Sequence, residues 1–186
     1  MCCIGYRFQT NLAYQAERAL EYLIARLNNP AKKPFGKQLS ESEVMLERVA
    51  RSRVEIDAAR LAVLNAAATI DKYDAKRARK EIAEIKILTP TMLQTVADRA
   101  IQAYGGEGLC QETPLPELWV AGRVMRIVDG PDEVHLLQLG RDEVVKGRWF
   151  LDKINGQLAA AVKLSGQGIL RDPLELNRRG THQAKI

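Results

Sequence analysis

Two long amphipathic stretches joined by a short polar turn constrain this 186-residue chain more than any other feature. From Glu43 to Lys72, the residues Val49, Ile56, Val63, Ala67 and Ile70 recur at intervals of seven, seven, four and three, and Ala and Leu widen the apolar face. That spacing predicts one helix about 45 Å long, from a rise of ~1.5 Å per residue. A second helix is predicted over residues 74–104, carrying Ile82, Ile85, Leu88, Leu93, Val96, Ala97 and Ile101. Pro90 inside it predicts a kink or a break, because proline removes a backbone donor and crowds the preceding turn. Gly105 and Gly106 end it with residues that accept positive φ.

Shorter helices flank this pair. Residues 11–27 carry Leu12, Tyr14, Ala16, Ala19, Leu20, Leu23 and Leu27 near helical spacing, before Asn28, Asn29 and Pro30. A loop follows over 28–42, with Pro34 and Gly36 as punctuation and Ser40 or Ser42 as N-caps, Ser40 standing in capping-box spacing with Glu43. Residues 113–125 predict a shorter helix begun near Pro114 and Pro116, and 131–149 a last one. The expected fold is all-α, an antiparallel up-and-down four-helix-type bundle with a shorter extra helix. Residues 1–10 are expected to be irregular, 11–150 to form the bundle, and 151–186 to be a tail, disordered or held only by a partner from about Ser165.

Composition narrows the functional classes. The chain carries 28 Lys and Arg against 23 Asp and Glu, a formal charge of +5. The basic residues are spread along helical faces and no aromatic stacking motif accompanies them, so nucleic-acid binding is the weakest of the readings. Cys2, Cys3 and Cys110 form an odd set without CxxC spacing, which suggests neither a disulfide framework nor a zinc site. His135 and His182 are too far apart to suggest a metal, and no run approaches 18 consecutive apolar residues.

Two constellations carry chemistry. The first is Gln102-Ala103-Tyr104-Gly105-Gly106-Glu107-Gly108 at the end of the second long helix. A glycine pair lets backbone approach a ligand, and Gln offers a donor and an acceptor; a simple helix stop explains the same residues. The second is Arg126-Ile127-Val128-Asp129-Gly130-Pro131-Asp132-Glu133-Val134-His135. Asp132 and Glu133 suit a helix N-terminus. Asp129 becomes a base only where an apolar pocket desolvates it.

Taken together with AERAL (residues 16–20), FGKQL (35–39) and the long helix pair, QAYGGEG and RIVDGPDEVH resemble the C-terminal domain of the acyl-CoA dehydrogenases over residues 15 to about 150. The DGPDEVH form is similar to the branch containing long-chain enzymes, some of them fused to a kinase-like domain. The resemblance implies flavin-dependent α,β-dehydrogenation of acyl-CoA thioesters, with FAD as cofactor and acyl-CoA as substrate. It also implies homodimer or homotetramer assembly through the bundle and electron-transfer flavoprotein as a redox partner. Asp129 falls where the family places its catalytic Glu, 27 residues after Gln102. Gln102, Gly105, Gly106, Lys32 and Phe35 would contact the ADP half of FAD, and Pro131 and Glu133 would stand against the flavin. The position of Lys32 usually holds Arg in an RxxFG pattern; Lys keeps the charge without the bidentate fork.

Only the last third of such an enzyme is expected here, and Tyr6 to Tyr14 add nine residues to the run that precedes AERAL in relatives. The isolated chain is therefore expected to be incomplete as an enzyme. An acyl-CoA oxidase is the near alternative, and a non-catalytic helical assembly module the further one. The resemblance implies a mitochondrial or peroxisomal site, with no targeting segment in view.

Overall fold

A computed structural model of the chain describes residues 2–166. All regular structure among them is helical: α1 (Cys2–Leu27), α2 (Glu43–Lys72), α3 (Arg79–Tyr104), α4 (Leu115–Met125), α5 (Asp132–Val144) and α6 (Gly147–Gly166). Single 3-10 turns lie at Pro34–Gly36, Leu39–Glu41 and Gly105–Leu109. The chain divides between Leu139 and Gly140 into two compact units, and α5 runs across the division.

In the first unit α3 is the central helix and packs on α1, α2 and α4. Side-chain partners give the directions. Thr89 of α3 bonds Gln9 of α1 and Ala103 bonds Arg26, so partners advance together and α1 and α3 run parallel. Arg99 bonds Ser52 while Ile85 packs with Val63, so α2 runs against α3. Gly122 of α4 abuts Gln94 and Pro90, and Met125 further along α4 accepts from Lys86, so α4 also runs against α3. The result is the expected up-and-down four-helix arrangement.

Leu20, Leu23, Ile56, Leu93, Val96 and Leu115 are fully buried at its centre. Ala16, Ala19, Ala59, Ala97 and Ala100, also buried, let the backbones approach. Where α4 crosses α3, Gly122 does the same, because a Cβ there would lie 2.8 Å from Gln94 Cγ and 3.0 Å from Pro90 O.

The boundaries differ from expectation in identifiable ways. Residues 2–10, expected to be irregular, are helical: α1 begins at Cys2, since no proline interrupts 2–27 and an established helix extends at low cost. Tyr14, expected on the buried stripe, is 71% exposed. α3 starts at Arg79 rather than at 74 because the Asp74 carboxylate accepts the Arg77 N–H at 2.7 Å and holds a turn in place of a first helical turn. Pro90 does not break α3, and Thr89 returns its hydroxyl to Ile85 O at 2.9 Å.

The last predicted helix, 131–149, is two. α5 ends at Val144, where a Val-Val pair and Gly147 weaken helix propensity, and α6 begins at Gly147. α6 continues through the expected tail, helped by Ala159, Ala160 and Ala161, with Leu151, Ile154, Leu158 and Val162 exposed along it. The disorder expected near the C-terminus falls on residues 167–186, outside the described residues.

An ion cluster ties α1 to α2. Glu17 accepts hydrogen bonds from both terminal guanidinium nitrogens of Arg53, at 2.8 and 2.7 Å, and also from Arg60. The Arg53 hydrogen bond holds the Glu17 carboxyl below its ordinary value of 4.5, against opposition from burial. A depressed carboxylate pKa contributes stability above the unfolded value and loses it as pH falls through the folded one. Glu17→Gln is therefore expected to cost about 1 kcal/mol near neutral pH. Urea denaturation of the two proteins should converge as pH drops below 4.5, and a constant gap would show that the charge is not the cause.

Candidate functional site

The first constellation is built where α1 and α3 end. Gly105 closes α3 at φ 65°, giving its N–H to Ile101 O, and Gln102, Gly105 and Gly106 are all exposed. Nothing stands within 4 Å of where a Cβ would project from Gly105 or Gly106, so the backbone there is open to close approach.

Arg26, which sequence reasoning passed over, and Glu107, which it named without a role, organise this end. Arg26, in the last turn of α1, donates to Ala103 O at 3.3 Å and Tyr104 O at 3.2 Å, with its guanidinium 4.9 Å from the Tyr104 ring centre. It thereby satisfies carbonyls that the end of α3 leaves open. Glu107 then bridges Arg26 at 2.9 Å and Lys32 at 3.2 Å. The Lys32 hydrogen bond holds the Glu107 carboxyl below the ordinary carboxylate range. Lys32 is thus tied to Glu107, the residue after the glycine pair, and already carries a carboxylate upon it. Phe35 sits in the Pro34–Gly36 turn, and its side chain lies outside the described residues.

The second constellation is the turn between α4 and α5. Asp129 has φ 58°, the one positive value at a non-glycine among the described residues, and Gly130 follows at φ 101°. Three ties hold the turn. Asp132 N–H bonds Arg126 O at 3.2 Å, and Arg126 Nε bonds the buried Asp132 carboxylate at 2.6 Å. Arg126 also reaches Gln94 at 3.2 Å. From α3, Lys86 Nζ donates to Val128 O at 2.7 Å and to Met125 O at 3.4 Å. Asp132 thus serves as the partner of Arg126 rather than only as a helix-dipole residue.

Asp129, Pro131 and Glu133 are exposed. Asp129 is not enclosed in an apolar pocket here; its neighbours Val124, Ile127 and Val128 are themselves 46%, 58% and 44% exposed. His135 packs its ring against Gly130, where a Cβ would come 3.3 Å from Nε2, and that nitrogen is buried without a partner.

The two constellations stand at opposite parts of α3. Lys86 and Gln102 are sixteen residues apart, about 24 Å at the helical rise. Two open clefts lie elsewhere, of about 430 Å³ beside Gln111, Thr113, Pro116 and Val120, and about 340 Å³ beside Asn11, Tyr14, Arg18 and Pro114. Neither includes a residue of the two constellations. Among the described residues no group of three or more His, Cys, Asp or Glu could hold a metal ion, and no helix is long and apolar enough to cross a membrane.

A profile described as acyl-CoA dehydrogenase, C-terminal domain, matches residues 8–143. The chain belongs to the acyl-CoA dehydrogenase family. FadE2 of Mycobacterium tuberculosis, named as an acyl-CoA dehydrogenase, is 46% identical over 129 residues, which are 69% of this chain and 31% of that protein. Acyl-CoA dehydrogenase family member 11 of Rattus norvegicus is 43% identical over 129 residues, 69% of this chain and 16% of that protein. A solved structure from Mycobacterium abscessus, described as an acyl-CoA dehydrogenase, superposes with a TM-score of 0.70 at 40% identity, covering 74% of this chain and 33% of that one. The chain therefore spans about a third or less of the relatives it matches, the part that is their C-terminal helical domain. The family is flavin-dependent.

Proposed function

We propose that this chain is the C-terminal domain of a flavin-dependent acyl-CoA dehydrogenase, contributing contacts to the FAD, the catalytic base Asp129 and part of the oligomer surface. The observation that carries the reading is the α4–α5 turn, where two Arg126–Asp132 bonds and the Lys86–Val128 bond flank Asp129, which stands in a left-handed conformation at the protein surface. Aspartate and asparagine are among the few non-glycine residues that enter that region, and a turn fixed on both sides of one sets the direction in which its carboxylate projects.

The residues fit the cofactor in two respects. The Gly105-Gly106 backbone is open to close approach, and Lys32 supplies a positive charge beside it. Gln102, Gly105, Gly106, Lys32 and Phe35 are assigned to the ADP half of FAD. The ~24 Å along α3 separates that half from the reacting carbons, so the two constellations serve different ends of a cofactor or two copies of it. Pro131 and Glu133 are assigned to the flavin side. FAD, when bound, supplies the acceptor for the hydride from the β carbon. Asp129 takes the proton from the carbon alpha to the thioester, and the carbonyl beside that carbon makes the proton acidic enough for a carboxylate to remove. The wall that excludes water from Asp129 comes from outside these residues, since the apolar side chains around it are open.

An absorbance spectrum of the purified chain with and without FAD, then anaerobic titration with an acyl-CoA, tests the reading. Bound flavin that bleaches supports it; a folded helical protein that takes up no flavin, alone or with the remaining domains supplied, sinks it. A second reading, a helical assembly module without catalysis, is favoured by exposed Val120 and Val124 on α4 and Val134, Leu136 and Leu137 on α5. Its sign is stable self-association without flavin. The dehydrogenase reading extends to an electron-transfer flavoprotein partner and a mitochondrial or peroxisomal site, which pull-down and fractionation test.

A further inference from the structure

Among the described residues, Lys86 is the buried cation that the proposed chemistry does not use. It is 4% exposed, and lysine is seldom buried to that degree without a specific partner. Burial pushes its pKa down, and the negative charges of Asp129 and Asp132 oppose that shift. A methionine or leucine at this point of the α3 stripe would avoid the desolvation cost, since 86 is four residues after Ile82 and seven before Leu93.

What the ammonium does there is specific. It donates to Met125 O, at the last residue of α4, where a positive charge is favoured by the helix dipole. It donates at 2.7 Å to Val128 O, the carbonyl of the peptide that ends at Asp129 N. Because that peptide is planar, fixing its oxygen fixes the plane on which Asp129 turns. The residue so held is the one with φ 58°.

We infer that Lys86 is a positioning residue: its ammonium, carried on the most central helix, locks the Val128–Asp129 peptide and so keeps the Asp129 carboxylate in its left-handed pose. The catalytic consequence rests on reading Asp129 as the base; the conformational claim does not. A flavin that fails to bleach would therefore remove the former and leave the latter to its own test.

That test uses isotope-labelled full-length chain and three proteins, wild type, Lys86→Met and Lys86→Arg. Backbone chemical shifts should give the positive-φ signature at Asp129 in wild type. In Lys86→Met, amide protection in α1 and α3 should persist, while the Asp129 signature is lost and the Ile127 and Val128 amides, bonded to Val124 O at 3.0 Å, exchange at least about tenfold faster. Lys86→Arg, able to donate to the same carbonyls, should restore both. A merely structural lysine would lower the melting temperature without moving the signature, so an unchanged Asp129 torsion in folded Lys86→Met overturns the inference. Should Lys86→Met not fold, reductive methylation of native wild type decides: Lys86 must react at least about tenfold more slowly than exposed Lys37, and equal rates overturn it.

Discussion

Leucine at position 122 is expected to lower the melting temperature by about 6–12 °C, a loss of about 3 kcal/mol for a chain of this size. A Cβ at Gly122 meets Gln94 Cγ at 2.8 Å, Pro90 O at 3.0 Å and Gln94 N at 3.3 Å. Two of these three atoms belong to the backbone of α3, which is packed on α1 and α2 as well and has nowhere to retreat. The third is a side chain that holds Arg126, so displacing it also loosens the tie between Arg126 and Gln94. Alanine separates the two causes. It presents the same Cβ contact but gains about 1 kcal/mol of helix propensity over glycine, so Gly122→Ala should lie much nearer wild type than Gly122→Leu. Thermal denaturation followed by circular dichroism reads the series, and a Leu variant as stable as wild type would mean that α4 does not cross α3 at this point.

The bundle was legible because its seams repeat. Ile56 and Val63, seven residues apart, are both buried on α2. The full seam is Ser52, Ile56, Ala59, Val63 and Ala66, at steps of four and three. Weighting large apolar residues found its alternate members and missed the small ones, which are there to bring backbones close. The same weighting placed Leu88 on the inner face of α3, where it is 39% exposed, while Lys86 and Thr89 beside it are buried. Polar residues enter the interior when their partners are present, and those partners lie far along the chain: Gln9 for Thr89, Val128 for Lys86.

The candidate site divides along the same line. Gly105-Gly106 and Asp129-Gly130-Pro131 are local patterns, visible because positive φ leaves a compositional mark. Arg26 and Glu107 leave none, since an arginine in a last helical turn and a glutamate after glycine are unremarkable until folding places them 2.9 Å apart. A lysine falling on an apolar stripe was the one available signal for Lys86. The helix at Gly147–Gly166 was hidden by glycine, glutamine and asparagine scattered through it, residues that weaken a helix without forbidding one.

Asp129→Asn is expected to slow acyl-CoA-dependent flavin bleaching by about 10²–10⁴-fold in an assembly that supplies the remaining domains, while leaving the fold unchanged. The two halves of that expectation have separate grounds. Asparagine is nearly isosteric with aspartate and is among the few side chains that accept the left-handed region, so the turn at φ 58° should survive. Lys86 donates to Val128 O rather than to the Asp129 side chain, so its hydrogen bond survives as well. What is lost is a group able to take a proton. Glutamate tests reach instead of basicity: it restores the carboxylate, one methylene further out, on a residue less suited to positive φ, and misplacement by about 1 Å can cost on the order of a hundredfold. The expected order is therefore wild type, then Asp129→Glu, then Asp129→Asn, read by anaerobic stopped-flow at the flavin absorbance. An Asn variant that bleaches at the wild-type rate would move the base to another residue and leave the strained turn as architecture alone.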